Sequence, residues 1–120
     1  MDAQALTYGP SKVSTGTATN AAATVTVAAI ANKRHLIVGG YISMSGGTPT
    51  AAVATVKSAA TTLFSIAIPA VDPTPNPIRL PIPEGHAIPA GLGEAVTLNV
   101  PDLGASILVH CALFTVPTSE

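Results

Sequence analysis

Prolines and glycines interrupt this chain so often that few stretches are long enough for a helix. There are eleven prolines and ten glycines among 120 residues. Proline lacks the backbone N–H that a helix or a central strand uses, and glycine disfavours both. Between these interruptions, apolar residues alternate with polar ones and β-branched residues are abundant. This pattern predicts short β-strands separated by turns.

The clearest alternation covers residues 35–45. One face is expected to carry Leu36, Val38, Ile42 and Met44, and the Gly39-Gly40 pair indicates a bulge or a close backbone approach. Residues 18–32 are alanine-rich and also permit a helix, but Thr24-Val25-Thr26-Val27 favours a strand. Further strands are expected at residues 51–58, 61–69, 94–100 and 106–116, with a possible first strand at 12–17 and an edge segment at 78–82.

These elements predict an all-β fold, an antiparallel β-sandwich of seven or eight short strands that is jelly-roll-like. Residues 72–77 contain three prolines and are expected to form a loop. Residues 1–20 are expected to form a flexible, extended N-terminal arm, because they contain few large apolar side chains. The sandwich domain then occupies residues 21–120.

The surface is expected to carry very little charge, because the chain has only five basic and six acidic residues, 9% in all. A protein this poor in charge is typical of subunits that bury their surface against other proteins. The last strand is apolar on both faces. It is therefore expected either to lie centrally in a sandwich, with its outer side against a neighbouring subunit, or to lie in a tightly closed barrel. The candidate interface residues are Lys33, Arg34, Arg79, Leu108, His110 and Phe114.

Charge and the length of the apolar runs also argue against two classes of partner. The formal net charge is −1 and no basic stripe is present, so nucleic acid is not expected to bind. No apolar run reaches the length of a membrane span, and the first residues lack the apolar core of a signal peptide. The expected site of synthesis is therefore a cytoplasm, with which a lone cysteine, Cys111, is compatible.

No constellation of residues predicts an enzyme, a cofactor or a metal. The three histidines are far apart in sequence, and the six acids are mostly in turns or at the termini. His110 and Cys111 are adjacent, but neighbouring strand residues point to opposite faces, so they cannot form a nucleophilic pair.

In three segments the chain resembles the small jelly-roll capsid decoration, or cement, proteins of tailed bacteriophages. The segments are NKRHLIVGGYIS at residues 32–43, IRLPIPEG at 78–85 and VTLNV at 96–100, which follow an alanine- and threonine-rich arm. The resemblance covers the pattern of residues 24–116. It implies a homotrimer on the outside of an icosahedral shell, in the virion, which bridges subunits of the major capsid protein and stabilises the particle.

The leading hypothesis is therefore a structural virion protein. Other minor virion components, such as a tail or head-fibre protein, use apolar interfaces in the same way. A receptor- or ligand-binding jelly-roll module is a third alternative, although only four aromatic residues are present, two Tyr and two Phe.

Overall fold

The computed structural model describes residues 12–70, 78–83 and 86–118. This part of the chain contains strands and no helix. The strands are β1 (Lys12–Thr19), β2 (Ala23–Val27), β3 (His35–Ser45), β4 (Ala52–Ser58), β5 (Thr61–Ile68), β6 (Ile78–Arg79), β7 (Ile88–Pro89), β8 (Val96–Val100) and β9 (Leu108–Pro117). They form two antiparallel sheets, one with the order β1-β9-β3-β6 and with β7 also on β3, the other with the order β2-β8-β4-β5.

The strand pairing is nested in the way that defines a jelly roll. The first strand pairs with the last (β1 with β9), the second with the next-to-last (β2 with β8), β3 with β6 and β7, and β4 with β5. Two further pairs, β3 with β9 and β4 with β8, join these hairpins into the two sheets. The short strands β6 and β7 share one of the eight strand positions of this fold, which explains nine strands where seven or eight were expected.

The core lies between the sheets and is built from small and medium-sized aliphatic side chains. Val25 and Val27 of β2, Leu98 of β8, and Val109 and Leu113 of β9 are almost completely buried. In β2, β5, β8 and β9 the core-facing residues recur with a period of two, as with Ile66 and Ile68 of β5 and Val96, Leu98 and Val100 of β8. This is the period from which these segments were expected to be strands.

The expected faces of β3 are wrong in its first half. The register against β9 shifts between Ile37 and Gly39, so Val38 lies in a bulge. The bulge reverses the phase, and Ile37, instead of Leu36, shares the core with Ile42 and Met44. The bulge itself was expected next to Gly39-Gly40, and the close backbone approach is also confirmed. A Cβ atom on Gly40 would lie 2.5 Å from the carbonyl oxygen of Ala112.

The edges of the sheets agree with the proline pattern. β6 contains two residues and lies outside β3, as expected for a segment in which prolines alternate with apolar residues. β7, also two residues long, pairs with β3 in a part of the chain where no strand was expected. β1 pairs with β9 over all eight of its residues. The second part of the expected arm, from Lys12 to Thr19, therefore belongs to the sandwich, because its backbone completes the edge of the five-stranded sheet. The first part of the arm and the expected loop at 72–77 lie outside the described residues.

Candidate interaction surface

Two loops meet at one end of the sandwich and are joined by backbone hydrogen bonds. One loop connects β2 to β3 and the other connects β7 to β8. The Gly93 N–H donates to the Lys33 carbonyl at 2.7 Å, and the Ala90 N–H donates to the His35 carbonyl at 2.9 Å. We call residues 28–34 and 90–94 together the loop end.

Basic side chains of the loop end are partly used to hold it together. The Arg34 Nη1 group donates to the Ala90 carbonyl at 2.9 Å. His35 is buried, and its Nε2 lies 2.9 Å from the Ala28 carbonyl. A carbonyl can only accept, so the ring carries its hydrogen on Nε2 in this contact. Lys33 is exposed, so of the predicted basic pair Lys33 is the residue presented to solvent.

A buried hydroxyl anchors the second loop to the four-stranded sheet. Ser58, at the end of β4, is almost completely buried. Its Oγ donates to Glu94 Oε1 at 2.5 Å and accepts the Gly91 N–H at 2.8 Å. The hydroxyl thus satisfies a carboxylate and a backbone donor at once, and both belong to the loop that carries Leu92.

We expect Ser58→Ala to lower the free energy of unfolding by about 1–3 kcal/mol, because it leaves the Gly91 N–H and one Glu94 oxygen without this partner. Urea unfolding followed by circular dichroism measures the change. Ser45→Ala, at an exposed serine of β3, is the control and should stay within about 0.5 kcal/mol of the wild type. Equal effects of the two substitutions would show that the buried hydroxyl has no special role.

The loop end exposes two large apolar side chains, Ile30 at 41% and Leu92 at 52%. Residues 28–33 are all exposed, and they read AAIANK. Because the Lys33–Gly93 hydrogen bond joins the two loops, Ile30 and Leu92 lie on neighbouring segments. The other exposed large apolar residues of the described chain, Val13 and Val53, lie on β1 and β4. The loop end therefore brings together two of the four.

Four of the sequence-predicted interface residues share a different surface, the outer face of the five-stranded sheet. Leu108, His110 and Phe114 of β9 alternate with the inward-facing residues of that strand, and Arg79 of β6 lies opposite Tyr41 of β3. Directly opposite these β9 residues are hydroxyl side chains at Thr17, Thr19, Ser43 and Ser45, together with Val13 and Gly39. This face carries little charge, but most of the neighbours of its β9 residues are hydroxyl side chains and not apolar ones.

The aromatic residues of this outer face form one pair. The rings of Tyr41 and Phe114 are arranged edge to face, with centroids 6.2 Å apart.

Lys33 and Arg34 lie at the loop end, so the six predicted residues are divided between two surfaces. Ile30 and Leu92 were not among them. The signal in the sequence that pointed to the loop end was the Lys33-Arg34 pair, whereas an isolated apolar residue in a loop carries no periodicity.

The reactive side chains remain apart in the described residues. Cys111 is buried, and its Sγ donates to the Gly16 carbonyl at 3.6 Å. Burial raises the pKa of the Cys111 thiol, which disfavours the thiolate. His110 is exposed on the opposite face of the sheet. Over residues 12–70, 78–83 and 86–118, no group of three or more His, Cys, Asp or Glu side chains is placed to hold a metal ion.

The same described residues contain no helix that is long and apolar enough to cross a membrane.

Comparisons with known proteins identify no family for this chain. No protein-family model and no curated protein matches the chain. One solved structure, described as "CBM4 structure and function", aligns with 82% of this chain and 84% of its own length, at 14% sequence identity and a TM-score of 0.36. A likeness at this TM-score supports no statement about function. The jelly-roll assignment therefore depends on the nested strand pairing of this chain itself.

Proposed function

We propose that this protein is a structural component of a virion, a decoration or cement subunit that binds the outside of a bacteriophage capsid and stabilises it without catalysing a reaction. The observation that carries the proposal is the loop end, where a firmly hydrogen-bonded pair of loops presents Ile30 and Leu92 to solvent. The partner that we propose is the major capsid protein. The three copies implied by the family resemblance remain a prediction.

The rigidity of the loop end favours binding. An interface made by mobile loops loses free energy when those loops become ordered. At the loop end the bonds from Gly93 to Lys33, from Arg34 to Ala90 and from Gly91 to Ser58 fix both loops before any partner arrives. Only the exposed side chains then lose conformational freedom on binding.

The contribution of each contact is modest. Complete burial of an exposed leucine or isoleucine contributes about 1.5–3 kcal/mol, and roughly half of each side chain is still accessible here, so each contributes about 1 kcal/mol. Two such side chains are equivalent to about a 30-fold change in affinity. Attachment to a shell becomes firm when several linked copies bind several shell subunits at once.

The low charge of the chain sets the expected salt dependence. Lys33 is the exposed charge of the loop end, and an isolated surface charge contributes little to binding. At about 0.5 M salt the Debye length is about 4 Å, so a binding mode driven by charge would be lost. Binding through Ile30 and Leu92 survives such conditions, because burial of apolar surface is not screened by salt.

The proposal is tested by sedimenting the protein with empty capsid shells of the virus that encodes it. We expect binding at about 0.15 M and about 0.5 M salt, with Ile30→Ser/Leu92→Ser about 30-fold weaker and Lys33→Ala less than tenfold weaker. Val13→Ser removes a side chain that is 58% exposed on β1, outside the loop end, and is the matched control. Absence of binding to shells, loss of binding at the higher salt, or a larger effect of Val13→Ser than of the double variant would contradict the proposal.

A further inference from the structure

The four edges of the two sheets differ in how well they are protected from pairing with another strand. β1 and β2 lie against each other, since a Cβ atom on Gly16 of β1 would be 2.6 Å from the Thr24 carbonyl oxygen of β2. β6 and β7 are two residues long, and they include Arg79 and Pro89. Short length, a charge and proline are the devices that natural sheets use to block an edge.

β5 is the exception. It is the outer strand of the four-stranded sheet, eight residues long, and its sequence TTLFSIAI has neither a charge nor a proline. Its one irregularity is a bulge at Leu63, because Val56 pairs with Phe64 while Lys57 pairs with Thr62. After the bulge, residues 64–68 form a regular strand, and no strand among the described residues pairs with its outer edge.

Apolar groups surround this edge. Leu63 and Phe64 are only partly buried, although both pack against the core. Val53, which pairs with Ala67, is 52% exposed on the outer side of the sheet. A strand added beside β5 would therefore cover apolar side chains and also pair with backbone groups that no strand among the described residues pairs with.

We propose that β5 is a self-association site, where the regular segment of β5 pairs antiparallel with the same segment of a second copy across a two-fold axis, so that the two four-stranded sheets become one eight-stranded sheet. Both copies keep their core faces on the same side of the joined sheet. A core-facing residue must therefore pair with a core-facing residue, and an outer-facing residue with an outer-facing one. Centring the segment on Ile66 satisfies this condition. It pairs Phe64 with Ile68 of the second copy on the core side, and Ser65 with Ala67 of the second copy on the outer side.

Self-pairing is favoured over a foreign strand because this edge is complementary to itself in both chemistry and charge. The partly buried Phe64 ring gains an apolar neighbour, and no charged residue faces another. Lys57 is the nearest basic residue of the neighbouring strand β4. In this register the two copies of Lys57 lie roughly 25 Å apart, about three times the Debye length at physiological salt, so they do not repel each other appreciably.

The association is tested on the isolated protein, without capsid shells, by sedimentation velocity between about 1 and 200 µM. We expect a mass of two 11.9 kDa chains at the upper end of this range. Ser65→Lys/Ala67→Lys introduces the charges that natural edges use and should raise the dissociation constant at least tenfold. Thr24→Lys/Thr26→Lys, at two exposed positions of the edge strand β2, adds the same charge and should leave it unchanged.

The register is tested by disulfide formation between single-cysteine additions. A mixture of Ser65→Cys and Ala67→Cys proteins should form cross-linked dimers under mild oxidation, because directly opposite side chains are close enough for a disulfide. Each variant alone should form far fewer. A monomeric mass at about 200 µM, a trimeric mass, a dimer that the double lysine substitution does not weaken, or cross-linking of Ser65→Cys alone as strong as in the mixture would overturn the proposed pairing. None of these outcomes depends on whether the protein binds a capsid.

Discussion

Gly40→Ala is expected to lower the free energy of unfolding by about 3 kcal/mol, near the upper end of the usual cost of overpacking. The added Cβ atom would lie 2.5 Å from the Ala112 carbonyl oxygen and 2.6 Å from Leu80 Cδ1. The Leu80 atoms belong to a side chain, which can shift more easily than backbone. The Ala112 backbone cannot shift easily, because Ala112 belongs to β9, which pairs with β1 on one side and with β3 on the other. Urea unfolding followed by circular dichroism gives the difference.

The adjacent glycine is the control for this experiment. A Cβ atom on Gly39 would approach only the ring of Phe114, at 3.2 Å from Cδ2. That ring is half-buried on the outer face of the sheet and can shift by a few tenths of an ångström. Gly39→Ala should therefore cost less than about 1 kcal/mol. If both substitutions destabilise the protein equally, the close approach of β3 to the β9 backbone is not the cause.

Leu113→Ala is expected to cost about 3–4 kcal/mol, because it leaves a cavity that the surrounding core cannot close. Leu113 has no exposed surface, and it lies on an interior strand of the five-stranded sheet, facing the other sheet. For a domain whose total stability is about 5–15 kcal/mol, this loss removes between about a fifth and about four-fifths of the total.

Leu108→Ala removes the same atoms from the same strand and is the matched control. Leu108 is half-buried on the outer face, where water can replace the missing side chain, so the expected loss is about 1 kcal/mol or less. Thermal unfolding of the two variants side by side checks the contrast. A cost at Leu108 as large as that at Leu113 would show that the outer face is packed as tightly as the core.

The two proposals concern different surfaces, which makes them separable. Binding to a shell depends on Ile30 and Leu92 at the loop end, whereas self-association depends on residues 64–68 of β5. Two linked copies would present two loop ends to a symmetric capsid lattice. Binding by both loop ends at once would raise the overall affinity, although each single contact stays as weak as before. A two-fold pairing gives an even number of copies, so the measured mass distinguishes it from the trimer that the family resemblance implies.

Most of the strands could be predicted from local sequence patterns, because the two-residue alternation of a strand is visible in a few neighbouring residues. Thr24 to Val27 were identified as a strand within an alanine-rich stretch, since alternating β-branched side chains outweigh the helical preference of alanine. The bulge of β3 was located by Gly39-Gly40, but its effect on the phase was not. A single extra residue exchanges the core-facing and outer-facing positions of all the strand residues before it. No local pattern shows which residue is the extra one.

The candidate surfaces depended much more on tertiary structure. The sequence by itself identified the low charge, Lys33 and Arg34, the two apolar faces of β9 and the blocked edge of β6. Only the fold brought Leu92 beside the loop of Ile30, joined Ser58 to Glu94, and placed β5 as the outer strand of the four-stranded sheet. The physical reason is sequence separation: each of these contacts joins segments that are distant along the chain, so it exists only once the nested strand pairs of the jelly roll have formed.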